Sequence, residues 1–89
     1  MFRLWGKIFK DTHLLKDIVI SNDDDTLNRT KKIFNAIDDI CYKFDLSKPI
    51  WLDSNINEFK AHNKTRFSQD NFIEALDFDY LEIHVIEED

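Results

Sequence analysis

Residues 25–45, DTLNRTKKIFNAIDDICYKFD, form the stretch that decides the fold. Apolar residues recur in it at intervals of three and four, which is the spacing of one stripe along an α-helix. We predict a helix that begins behind the polar run SNDDDT, where side chains can cap it, and ends before Pro49. This apolar stripe is the largest in the chain and should face a sheet. Its members are Leu27, Ile33, Phe34, Ile37, Ile40, Cys41 and Phe44.

Strands are predicted on both sides of this helix. Residues 3–10 (RLWGKIFK) and 14–21 (LLKDIVIS) alternate between two faces and are joined by the short polar connection KDTH, which indicates a hairpin of unspecified turn type. The final stretch 77–89, DFDYLEIHVIEED, alternates in the same way. Gly6 is the only glycine, and it marks either a bulge or a close approach of a helix side chain.

The predicted fold class is α+β, with a three-stranded antiparallel sheet made of the N-terminal hairpin and the C-terminal strand. A right-handed crossover gives the strand order 2-1-3, with one long helix and one or two short helices on one face. The 89 residues are enough for one domain, 1–89. A composition of 43% hydrophobic and 13% aromatic residues is typical of an ordered globular protein.

The cysteine content and the charge distribution indicate the cellular compartment and the kind of partner. Cys41 is the only cysteine and cannot form an internal disulfide, so we expect a reducing cytoplasm. Charges interrupt the opening MFRLWGKIFK too often for a signal peptide or a membrane span. Residues 1–66 carry 12 Lys and Arg against 10 Asp and Glu, while residues 67–89 carry none against 8. Such an acidic tail disfavours duplex DNA as a partner.

Residues 48–72, KPIWLDSNINEFKAHNKTRFSQDNF, are either a binding site or a hydrogen-bonded turn of the chain. Asp53 or Ser54 can cap a short helix that carries Ile56 and Phe59. In the following run RFSQDNF, Ser68 at a cap position gives the two flanking phenylalanines, Phe67 and Phe72, the spacing of a hydrophobic staple.

The candidate site residues are four basic or imidazole side chains within residues 60–66, together with a nearby aromatic ring. They could bind a phosphate-containing ligand or single-stranded nucleic acid. The alternative is a solvated surface on which Arg66 pairs with the acidic tail. The candidate residues are Trp51, Lys60, His62, Lys64 and Arg66.

Catalytic and metal motifs are weak. Glu58-x-Lys60, with Asp53, resembles part of a metal-dependent nuclease site, but that pattern needs a strand where a helix is predicted. Cys41 lies on the apolar stripe, as an inert core thiol would. We therefore predict no cofactor and no catalytic dyad. A metal-dependent hydrolase is the third functional class, after the two that are described next.

The runs KPIWLDSNINEF (48–59) and KTRFSQDNFIEALDFDYLEIHVIEED (64–89) resemble a family of small proteins of unassigned function from anaerobic Gram-positive bacteria. The resemblance implies a bacterial, cytoplasmic protein and carries over no site residues.

Two functions stay open. One is a non-enzymatic interaction or regulatory module whose C-terminal strand is an exposed edge, able to pair with another protein or a second copy. The other is phosphate-ligand or single-stranded nucleic-acid binding at 60–66.

Overall fold

A computed structural model describes residues 1–88 of the chain. It contains four strands and two helices, and one 3-10 turn lies ahead of the last strand. The α+β fold class is confirmed. In chain order the elements are β1 (Phe2–Lys10), β2 (His13–Asn22), α1 (Arg29–Lys43), α2 (Asp53–His62), β3 (Lys64–Phe67), the 3-10 turn (Gln69–Asn71) and β4 (Tyr80–Glu87).

The strands form one antiparallel sheet in the order β2-β1-β4-β3. The predicted order 2-1-3 is right for the hairpin and the C-terminal strand, because β4 lies beside β1. The prediction of three strands is wrong because it lacks β3, which pairs with the other side of β4. β3 has only four residues, and two of them, Lys64 and Arg66, are cations that obscure its alternation with the buried Thr65 and Phe67.

β4 is an interior strand, which corrects the expectation that the C-terminal strand is an exposed edge. One side of β4 pairs with β1 and the other pairs with β3 from Leu81 to His84. Beyond β3, the Val85 N–H donates a hydrogen bond to the carbonyl of Asn63 at 2.9 Å. The edges of the sheet are therefore β2 and β3, and a dimer through the C-terminal strand would have to displace β3.

The β1–β2 hairpin turns through Asp11 and Thr12, whose φ angles are 53° and 68°. Positive φ at both central residues is the type I′ turn, whose twist matches that of paired strands. The sequence does not indicate this turn, because a β-branched threonine rarely adopts positive φ. The Asp11 N–H donates to the Asp79 carboxylate at 2.8 Å, which attaches the turn to the segment before β4.

α1 packs on one face of the sheet, here called the inner face, and contacts β1 and β2. A Cβ built on Gly6 would lie 2.8 Å from Ile40 Cδ1, so the glycine lets the helix approach the strand closely. Of the two predicted roles for Gly6, close approach is confirmed. The register shifts of β1 lie elsewhere, between Ile8 and Phe9 and between Arg3 and Leu4.

The ends of α1 differ from those expected. The helix begins after Asn28, whose side-chain oxygen accepts a hydrogen bond from the Lys31 N–H at 2.9 Å, so the run SNDDDT lies ahead of the cap. At the other end the Leu46 N–H donates to the Cys41 carbonyl at 2.8 Å while Asp45 adopts a φ of 57°. This Schellman-type end stops the helix at Lys43, well before Pro49.

The short helix α2 is confirmed, but its cap is Leu52 rather than Asp53 or Ser54. Ser68 does precede a turn, as predicted, although the turn is a single 3-10 turn rather than a helix. Phe59, Phe67 and Phe72 are buried in the core between the helices and the sheet. No helix within residues 1–88 combines the length and apolar character needed to cross a membrane.

Candidate functional site

Most of the polar residues that distinguish residues 48–72 belong to a hydrogen-bonded turn of the chain. Asn55 is 5% exposed, and its Nδ2 donates to Thr65 Oγ1 and to the Arg66 carbonyl, both at 2.9 Å. Its Oδ1 accepts from the Leu52 N–H at 3.1 Å, which caps α2 from within the first turn. Asn55 therefore joins the start of α2 to β3.

Asn71 extends this arrangement to the 3-10 turn. Its Nδ2 donates to the Ile50 carbonyl and to Asn55 Oδ1, both at 2.7 Å, and its Oδ1 accepts from the Ser68 N–H at 3.0 Å. We call Asn55, Thr65 and Asn71 the polar turn network. Within residues 1–88, no buried side-chain nitrogen or oxygen lacks a partner, so the network leaves no polar group pointing at a ligand.

The predicted site residues are divided between two depressions. His62, Lys64 and Arg66 line a small one of about 180 Å³, which Glu58 and Glu82 also line. Trp51 and Lys60 line a different one, between the helices. The five residues therefore do not form one surface.

Arg66 is paired, as the solvated-surface alternative predicted. Its Nε donates to Glu82 Oε2 at 3.0 Å, and its guanidinium lies 4.5 Å from the centroid of the Tyr80 ring. Lys7 Nζ lies 2.9 Å from the other Glu82 oxygen, so one carboxylate holds two cations. These residues lie on the sheet face opposite α1, here called the outer face, where paired register positions bring Lys7, Glu82 and Arg66 into one row.

The electrostatics of this row follow from its geometry. Burial alone would raise the pKa of Glu82, but the hydrogen bonds from Lys7 and Arg66 outweigh it and hold the pKa below its ordinary value. Burial, with Lys7 and Lys64 nearby, lowers the pKa of His84 in the neighbouring row. Arg66 is thus paired with a carboxylate of the chain through its Nε, which lowers the net positive charge of the proposed phosphate site.

Trp51 belongs to an aromatic cluster on the helix side of the sheet. Its ring meets those of Phe59 and Phe67 edge-on, with centroids 5.6 and 5.1 Å away, and that of Phe34 at 6.0 Å. Phe59 and Phe67 are buried, whereas Trp51 is half-buried and Phe34 is 48% exposed. The cluster therefore runs from the core to the surface.

Where it reaches the surface, the cluster borders an apolar groove between α1 and α2, with a volume of about 270 Å³. We call it the helix groove. Ile56, on the α2 side, is 39% exposed. The groove is lined by Arg29, Thr30, Ile33, Phe34, Trp51, Ile56, Phe59 and Lys60.

Two cations line this groove, and they differ in whether they form an ion pair. Arg29 pairs with Glu88, donates to Asn63 Oδ1 at 2.9 Å and lies 5.5 Å from the centroid of the Phe59 ring. Lys60 makes no ion pair within residues 1–88. The helix groove therefore offers an apolar surface beside an available positive charge.

Sequence reasoning found Trp51 and Lys60 but missed the other side of the helix groove. Phe34 was assigned to the core stripe of α1, although it lies at the margin of that stripe, next to Ile33. Ile56 was placed on the short helix with Phe59, with no side of that helix assigned to it. The sequence carries no signal for this, because in Asn55-Ile56-Asn57 the structure buries the asparagine and exposes the isoleucine.

The weaker chemical motifs are dispersed. Glu58 and Lys60 lie on α2, two residues apart, and line different depressions. Burial raises the pKa of the Cys41 thiol to about 11, so little of it is the nucleophilic thiolate at neutral pH. Residues 1–88 contain no group of three or more His, Cys, Asp or Glu side chains placed to hold a metal ion.

Comparison of the chain with protein-family models, with curated proteins and with solved structures finds no match. The resemblance to a bacterial family of unassigned function stays a prediction.

Proposed function

We propose that this chain is a small cytoplasmic, non-enzymatic interaction module that binds an amphipathic segment of a partner protein in the helix groove. The observation that carries the proposal is the exposure of Phe34 and Ile56 beside Trp51, in one concave surface between two helices. A groove between helices that exposes apolar anchors is the usual receptor for the apolar face of an amphipathic helix.

The chemistry of the partner follows from the charge at the groove. Lys60 has no carboxylate partner within residues 1–88, and Arg29 already binds one carboxylate, that of Glu88. An acidic residue beside the partner's apolar anchors would pair with Lys60 and favour the correct orientation. We therefore infer a partner segment with apolar residues at helical spacing and at least one acidic residue flanking them.

Selection from a displayed library of random peptides, each long enough for several helical turns, tests this proposal. We expect enriched peptides with apolar residues at intervals of three and four and with flanking acidic residues. Their binding should weaken at least about tenfold in Phe34→Ser, because loss of one central anchor commonly costs more than 1.4 kcal/mol. Ile73→Ser, at an exposed apolar position between the 3-10 turn and β4, is the control and should leave binding unchanged.

Two outcomes would overturn the proposal. One is the absence of any enriched peptide in repeated selections with folded protein. The other is a set of peptides that bind Phe34→Ser as tightly as the unmodified chain. A labelled single-stranded oligonucleotide, titrated at low salt, is included in the same series. Binding that weakens in Lys64→Ala but not in Phe34→Ser would favour the phosphate alternative instead.

A further inference from the structure

β2 forms a free edge of the sheet. It has ten residues, pairs with β1 on one side and has no strand on the other side within residues 1–88. Val19 is 43% exposed, although it is a β-branched residue in the middle of the strand. A long strand with one unpaired side presents backbone donors and acceptors to any other extended chain.

The central part of β2 has a symmetric polarity. Residues 16–22 read KDIVISN, in which three β-branched apolar residues lie between two polar pairs. Val19 is the centre of this pattern. An antiparallel pair of identical strands about a two-fold axis through Val19 would therefore place each residue opposite one of matching polarity.

We propose that a second copy of this chain pairs with β2 in this register, giving a two-fold dimer with a continuous eight-stranded sheet, two sheets of four strands joined edge to edge. Ile18 then lies opposite the partner's Ile20, Asp17 opposite the partner's Ser21, and Lys16 opposite the partner's Asn22. Ile18 and Ile20 are half-buried and pack against the core, so the pairing extends the inner face across the interface.

Neighbouring registers are less favourable. Side chains alternate between faces, so a two-fold pairing must place inner-face residues opposite inner-face residues, and the axis must pass through a residue. An axis at Asp17 places two carboxylates opposite each other, which is destabilising. An axis at Ile18 places Asp17 opposite Val19 and Lys16 opposite Ile20. Only the axis at Val19 avoids both faults among these three.

Sedimentation equilibrium of the full chain and two lysine variants tests the dimer. The unmodified chain should show twice the mass of the monomer, 10.7 kDa, at high concentration. Val19→Lys places two lysines opposite each other at the axis and should weaken association about tenfold or more. Ser21→Lys adds the same charge to the same outer face of β2, but opposite the partner's Asp17, so association should be retained or strengthened.

Cross-linking checks the register directly. Cys41 is buried, so a cysteine introduced on β2 is the only accessible thiol within residues 1–88. With a short thiol cross-linker, Val19→Cys should form covalent dimers at least about tenfold faster than Ser21→Cys, because only position 19 lies opposite itself. A monomeric mass at the highest concentration reached, equal weakening in both lysine variants, or faster cross-linking at position 21 would overturn the proposal. Circular dichroism confirms that each variant is folded.

Discussion

Two neighbouring residues of α2 have exposures opposite to their polarity. Asn55 is 5% exposed and Ile56 is 39% exposed. Asn55 has hydrogen-bond partners on β3, the cap of α2 and Asn71, all within the chain. Ile56 borders the helix groove and is left facing solvent. The buried polar residue is therefore explained by folding, whereas the exposed apolar residue would be covered only by the partner segment that we propose for the helix groove.

α1 shows the same contrast between a residue of the core and a residue of the proposed binding surface. Ile37 is 3% exposed and belongs to the core, while Phe34, one turn earlier, is 48% exposed at the helix groove. Both were assigned to one apolar stripe, because hydrophobic periodicity cannot tell which margin of a stripe extends past the core. Polarity alone therefore does not separate residues of the polar turn network from residues of the helix groove. The location of each residue's partners does.

The largest expected effect separates Ile37 from Phe34. Ile37→Ala should lower the free energy of unfolding by roughly 2 to 5 kcal/mol, because it leaves a cavity in the core. Phe34→Ala should lower it by about 1 kcal/mol or less, because half of that ring is already exposed. Urea denaturation of both variants measures the difference. Equal losses would mean that Phe34 is a core residue like Ile37.

The next effect concerns the polar turn network. Asn55→Ala removes the acceptor of the Leu52 N–H, the side-chain donor to the Arg66 carbonyl and one of the two acceptors of Asn71 Nδ2, and we expect a loss of roughly 2 to 4 kcal/mol in unfolding free energy. Asn35→Ala makes the same substitution at an exposed position of α1 and should change stability by less than about 0.5 kcal/mol. A small loss in both variants would show that Asn55 contributes little to folding.

Strong periodicity made much of the fold predictable. α1, the hairpin and β4 each repeat a pattern over eight or more residues, and each was found. β3 was missed because an alternation over four residues, KTRF, cannot be distinguished from a polar loop. The ends of α1 depend on the side chain of Asn28 and the positive φ of Asp45, and the sequence offers several other candidates for both.

The candidate site was only partly predictable, for a different reason. Charge density singled out residues 60–66, but whether a cation is available depends on what lies across the sheet. Glu82 is 16 residues from Arg66 in sequence and opposite it in register. The sequence indicates that Arg66 can pair with the acidic tail, but only the pairing of β3 with β4 identifies Glu82 as the partner. Phe34 and Ile56 come together for a similar reason, since they lie on separate helices and share one groove.

A smaller effect tests whether Glu82, like Asn55, is a buried polar residue that stabilises the folded chain through partners within it. Its pKa in the folded chain lies below the ordinary value of 4.5, so its contribution is present above pH 4.5 and is lost as the pH falls through the lower folded value. At neutral pH, Glu82→Gln should cost roughly 1 kcal/mol. As the pH is lowered past 4.5, the difference between the variant and the unmodified chain should shrink. Denaturation at a series of pH values measures it, and a constant difference would contradict this account.

The smallest expected effect distinguishes Lys60, the available cation at the helix groove, from Lys64 on β3. Anilinonaphthalene sulfonate is an apolar aromatic anion, and phenylnaphthylamine has the same rings without the charge. If the helix groove binds both, Phe34→Ser should weaken both. Lys60→Gln should weaken only the sulfonate, by about threefold, because an exposed ion pair contributes up to about 1 kcal/mol. Lys64→Gln removes the same charge from the outer side of β3 and should change neither. Fluorescence titration measures all three variants. Equal effects of Lys60→Gln and Lys64→Gln would mean that the sulfonate responds only to the net charge of the protein. The inference that the partner segment carries an acidic residue beside Lys60 would then be wrong.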